Sequence, residues 1–368
     1  MKPTPYLITL TGLCLYFTIS CGTSESQSDV IAVKDIKYTN IDIDTVNIYM
    51  DNSSYSGFSG VHKDKLYFFD EFFSYYYDIS IEGQVADRYI GLGKGPKEIP
   101  IRSSIEVCTY KDEFLAFGGN NAYLLKNFEN TKPLVMNLSG DVNSYDASAA
   151  YTLWPQTTLR MNDKAFFYNI AGSHDAVDPI AQKDYFANAR ILMKVDLQTM
   201  NSTPIGKYSD YYIKNSQKLR HLVFYNYDID NEGQFYITYQ ADSVIYVYDK
   251  KFTPVKKIGF QGSNMNVDYS DPSGGPENME KAFMNDINKG YYYWLEHIDN
   301  TGLTFRSYQK GSHTEDDGLQ IFKNDKLIAD VEVPKNFKVT GYIAPYYVTK
   351  IICDEEKETM KFYRFILE

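Results

Sequence analysis

The sequence predicts an all-β fold: a six-bladed β-propeller of four-stranded antiparallel blades, its ring closed by a strand from the N-terminal side. Three observations carry that reading. Residues 243–260 (SVIYVYDKKFTPVKKIGF) set two alternating apolar runs around a short polar turn, and the pattern recurs at 75–91, 122–140, 190–208 and 319–334. Each copy is preceded by another hairpin whose turn is built from Asp, Asn, Lys or Gly. Finally, 34 Tyr and 22 Phe bring the aromatic share to 16%, a composition that suits strands.

Taken in order, residues 1–20 carry Lys2 and then an uncharged, largely apolar run from Tyr6 to Ser20, short for a bilayer span and typical of a signal-peptide core. Export is expected. The run ends in Thr18-Ile19-Ser20-Cys21-Gly22, which resembles the lipobox of bacterial lipoproteins, with Thr18 where that family usually has Leu. The resemblance implies lipidation of Cys21 and a membrane anchor facing the periplasm or the surface, with the outer membrane as the expected place. Residues 21–40 then read as lipid anchor and polar tether, and 41–368 as the propeller domain. Residues 41–50 alternate as a strand with no hairpin partner nearby. Inner hairpins follow at 57–73, 104–117, 157–170, 222–240 and 290–309, and each joins an outer hairpin to make a blade. Residues 338–368 supply only three strand candidates, so 41–50 is expected to add the fourth and leave no open edge in the ring.

After the first outer hairpin comes Gly93-Lys94-Gly95-Pro96-Lys97-Glu98. It resembles the Gly-x-Gly-Pro-x-Glu stretch in an early blade of bacterial six-bladed β-propeller lipoproteins of unknown function. That resemblance implies the fold and an envelope location, and it brings no catalytic residue with it. As a phosphate loop the stretch fails, because it lacks dinucleotide spacing, a Gly-Lys-Ser/Thr ending and a following helix pattern. A tight connection between blades is expected.

A net charge of −11 with no basic run argues against nucleic acid as a partner. Of four cysteines, Cys14 falls in the signal core and Cys21 at the anchor, leaving Cys108 and Cys353 in strand-like runs where free thiols are expected. No Cys/His spacing suggests zinc, and no cofactor is expected. Residues 228–233 (DIDNEG) begin like a calcium loop, but Tyr239 holds the twelfth position where a bidentate Glu is needed, so a solvated turn is expected.

The long insertions, at 139–156, 171–189, 209–221, 261–289 and 310–318, all fall in connections that emerge on one face of a propeller. That face is expected to bind a glycan, peptide or protein through Arg102, Trp154, Arg160, His174, Tyr211, Tyr212, Arg220, His221, Tyr269 and His313. A short helix within 276–290, with Pro at its start and Gly at its end, is expected to cover the ring mouth. The alternative is an envelope hydrolase or lyase. In it, His174 with Asp175 and Asp178, or His313 with Glu315 and Asp317, would supply acid and base or hold a divalent metal. His62 and His221 flank inner strands and are expected as polar channel lining, where Arg160 and Arg220 could also point.

Overall fold

The computed structural model describes residues 30–100, 106–118, 121–135, 151–153, 158–172, 185–272, 276–311 and 313–367. Six small, mainly antiparallel sheets stand in a ring and form a six-bladed propeller. Blade one comprises Gly57–His62, Lys65–Asp70, Tyr76–Ile79 and Val85–Arg88; blade two, Glu106–Tyr110, Glu113–Gly118, Asn121–Lys126 and Glu129–Val135. Blade three is Leu159–Met161, Ala165–Gly172, Leu192–Asp196 and Ser202–Ile205, with Tyr151–Leu153 also paired to its second strand. Blade four is Tyr225–Ile229, Phe235–Tyr239, Val244–Tyr248 and Pro254–Gly259; blade five, Tyr291–Ile298, Leu303–Gln309, Asp317–Lys323 and Lys326–Val333.

Blade six takes Val339–Ile343, Tyr346–Thr349 continued by Ile352–Asp354, and Thr359–Phe365 from the C-terminal side. Its outer strand is Ile43–Ile48, which runs antiparallel to the last strand from Ile43 opposite Phe365 to Ile48 opposite Met360. The ring therefore closes as the strand count requires.

Turn chemistry explains why the hairpins form where they do. Lys63 and Asp64 take φ of 50° and 58°, and Asn324 and Asp325 take 49° and 64°, the mirror-type turn whose twist matches that of its flanking strands. Packing then holds the blades face to face. Six apolar clusters lie one at each interface between neighbouring blades; Leu66, Phe68, Val348 and Phe362, for example, join blades one and six. The helix Pro276–Asp286 forms where expected. Cys108 and Cys353 are both free thiols.

The glycine motif is a structural joint between blades one and two. Gly91–Leu92 pairs in parallel with Glu98–Ile99, and the Glu98 carboxylate folds back to accept the Gly95 N–H at 2.7 Å. A Cβ on Gly93 would lie 2.0 Å from that carboxylate, so any other residue there would push the Glu98 side chain from this position.

One boundary differs from expectation. The tether was expected to run to residue 40, yet Val30–Ile31 lies parallel to the outer strand of blade four, and Val33–Tyr38 parallel to that of blade five. An outer strand presents a row of unpaired backbone groups, and an extended, β-branched segment passing beside it pairs with them whatever its own periodicity. Pairs this short leave no alternation to read in a sequence. Residues 1–29, which include the expected signal peptide and Cys21, lie outside the described residues.

Candidate functional site

The innermost strands of all six blades border one space at the ring axis. A cavity of about 580 Å³ opens there on the face of the short turns, bordered by residues 162–165, 230–233 and 250–252. Its lining is charged. Arg160, on the inner strand of blade three, donates from Nε to Asp228 Oδ1 of blade four at 2.6 Å and from Nη2 to Glu296 Oε2 of blade five at 2.7 Å. The second Asp228 oxygen accepts the His297 N–H at 2.7 Å. One guanidinium thus joins three blades. Burial opposes the Arg160 charge, but Glu296 and Asp228 outweigh it and hold the group protonated. Burial also pushes the Glu296 carboxyl upward, against the pull of Arg160.

The Trp294 indole stands among three cations: Lys350 at 4.6 Å, Lys338 at 5.7 Å and Arg160 at 5.8 Å from its ring. Its own N–H donates to the Val339 carbonyl at 2.6 Å, which fixes the ring. Lys350 also approaches Glu106 of blade two at 3.7 Å. Burial, reinforced by the nearby Lys350, brings the Lys338 amine down to about 8. Cations at aromatic faces and carboxylates held by a guanidinium give the axis both signs of charge.

Near the mouth, Asp230, His297 and Asp299 each place one potential metal-ligand atom within 4.8 Å of the others. The Thr304 hydroxyl lies 2.8 Å from His297 Nδ1, and the Tyr236 ring stacks on the imidazole at 4.5 Å, leaving Nε2 for a ligand. Burial raises the Asp299 carboxyl. The turn at 228–233 is therefore only half solvated: Asn231 and Glu232 are exposed, but Asp228 and Asp230 are 4% and 7% exposed. This hairpin turns beside the axis, where its carboxylates meet blade five.

The residues expected on the long-loop face are dispersed. Arg102, Trp154 and His174 lie outside the described residues. Arg160 is not on that face, because its strand directs it into the axial cavity. Tyr212 is core, its hydroxyl accepting the Ala241 N–H at 2.9 Å, and buried Tyr269 donates to the Gly290 carbonyl at 2.7 Å. Exposed Tyr211 and the edge of Tyr269 border a second cavity of about 400 Å³, together with Lys214 and Asp242. Arg220 donates to the Pro272 carbonyl at 2.6 Å, and His221 pairs with Asp286 at 2.7 Å. His313 is exposed on a turn. Its expected partner Asp317 is buried and accepts from Tyr293 and Lys335 instead. His62 sits between blades one and two, against the Lys111 carbonyl and the Tyr76 hydroxyl, and not in the channel.

Sequence reasoning missed Glu296, Trp294, His297, Lys338 and Lys350, and it placed Asp228 in a solvated turn. A charged side chain within an otherwise largely apolar innermost strand was the signal that could have found Glu296 and Asp228.

No family model matches the sequence, and no curated protein matches it. Solved structures match the fold. A member of the DUF4221 family from Bacteroides vulgatus superposes with a TM-score of 0.63 at 12% identity, over 89% of this chain and 97% of its own. A protein of Bacteroides fragilis inferred to be exported gives 0.55 at 11% identity, over 92% and 100%. At these identities the likeness defines the class, a six-bladed propeller, and nothing finer. No helix among the described residues is long and apolar enough to cross a membrane.

Proposed function

We propose that this protein is an exported, lipid-anchored binding protein of the cell envelope that takes a small polar ligand, such as the end of a glycan or peptide, in its axial cavity. The observation that carries the reading is the floor of the 580 Å³ cavity, where the Arg160, Asp228 and Glu296 cluster meets from three blades. Rigid inner strands hold both donors and acceptors there, as a site for a ligand with both kinds of group needs. The binding role expected for the long-loop face is thereby assigned to the opposite mouth. Ligand-observed NMR with glycan and peptide fragments should show binding that Glu296→Gln weakens; equal binding by that variant would remove the cavity from consideration. For the anchor, Cys21→Ala should release the protein from the membrane fraction. Continued membrane association would show that Cys21 is not the attachment point.

A second reading, an envelope hydrolase or lyase, is favoured by the Asp230, His297 and Asp299 group near the same mouth. In that case Mn²⁺ or Zn²⁺ would raise the thermal midpoint of the chelator-treated wild type but not of Asp299→Asn. An identical response from both proteins would count against it.

A further inference from the structure

A separate cavity of about 140 Å³ lies on the long-loop side, between the inner strands of blades four and five and against the helix Pro276–Asp286. Its chemistry is unusual for a packing defect. Asp286 is 2% exposed and accepts from the Ser270 N–H at 2.9 Å, the Ser270 hydroxyl at 2.9 Å and His221 Nε2 at 2.7 Å. Nε2 faces the carboxylate and is the nitrogen that donates to it, so in the tautomer this bond selects Nδ1 carries the lone pair. That Nδ1 is buried without a partner, although the His221 side chain is only 2% exposed. Gln240 Oε1 is likewise buried and without a partner. Backbone bonds from Gln240 N–H to the Phe224 carbonyl and from Tyr292 N–H to the Gln240 carbonyl fix its place. Both residues line the cavity.

Two buried acceptors without a partner, on residues that line one space, call for a donor, and the space exceeds what one ordered water fills. The donor is neutral. A buried ammonium would need an unpaired counter-charge, and Asp286 already has three donors. At the rim, Phe283 and Ile287 are 48% and 50% exposed, an apolar surface beside a polar hole.

We propose that this cavity is a saccharide subsite. The hydroxyl edge of a sugar donates to His221 Nδ1 and Gln240 Oε1, while its C–H face lies on Phe283 and Ile287. The site shares no lining residue with the axial cavity and stands apart from the function proposed for it.

Saturation-transfer NMR on the full chain, with the methyl glycosides of glucose, galactose, mannose and N-acetylglucosamine as probes, tests it. At least one glycoside should bind the wild type. Gln240→Met removes an unpaired acceptor at nearly constant volume, so it should keep the wild-type thermal midpoint or exceed it while binding about tenfold more weakly. Phe283→Ser, at the surface, should also weaken binding, and the glycoside binding that remains in Glu296→Gln, whose axial site is impaired, should be lost when Gln240→Met is added. No transfer to any of these glycosides, or wild-type binding by Gln240→Met, overturns the proposal. Loss of sugar binding through Glu296→Gln alone would assign the sugar to the axial cavity and overturn it equally.

Discussion

Arg306 shows how much of this fold depends on single polar contacts. It is wholly buried in blade five, donates to the Ser243 and Phe260 carbonyls of blade four at 2.9 Å and 2.7 Å, and stacks 4.0 Å from the Tyr292 ring. Gln320 accepts from it as well. Burial lowers its pKa. Arg306→Ala should cost about 3 kcal/mol or more, because it strands two carbonyls and opens a void; a loss under about 1 kcal/mol in urea unfolding would contradict this role. Lys338 gives a prediction in pH. Its amine titrates near 8 in the folded protein, below the ordinary lysine value, so the unfolded chain binds more protons between the two values. Its contribution to stability therefore rises with pH from about 8 to about 10. Lys338→Met should be more stable than wild type at pH 7, and the gap in thermal midpoint should narrow by pH 9.5. A gap independent of pH would show that the amine is not desolvated. These residues were not legible in the sequence. Arg306 and Lys338 stand in hairpin-like runs that read the same whether the charge faces water, a neighbouring blade or the axis.

Among the elements, the outer hairpins were the most readable, because period-two alternation and a polar turn are local properties that survive any tertiary context. The inner hairpins were readable for the same reason, each forming within its expected range. The N-terminal clasps were not, since Val30–Ile31 and Val33–Tyr38 draw their conformation from the edges they meet. They supply a prediction of their own. Deleting residues 30–40 should leave the ring folded but uncover the outer strands of blades four and five, so the variant should self-associate more than wild type in sedimentation experiments. Unchanged sedimentation at equal concentration would show that those edges are guarded in another way.

At the scale of the whole molecule, closure was legible because it follows from counting: three C-terminal strands and one unpaired N-terminal strand. The site was harder to read, since it gathers Arg160, Asp228 and Glu296 from three blades and no local motif reports that meeting. The closing strand carries Val46 and Ile48 into the cluster between blades six and one, beside Phe362 and Leu66. Val46→Asp should therefore loosen the ring, lowering the thermal midpoint and broadening the transition. A transition as sharp and as high as the wild type's would show that the ring does not depend on this seam. The order of the N-terminal pairings has a mechanical consequence. A pull from residue 29 loads the short parallel clasp on blade four first, then the one on blade five, and reaches the seam of the ring last. Peeling residues 30–40 would lengthen the chain by up to about 40 Å before the seam bears load. Under such a pull the clasps would give way first, while the ring of blades behind them stays shut.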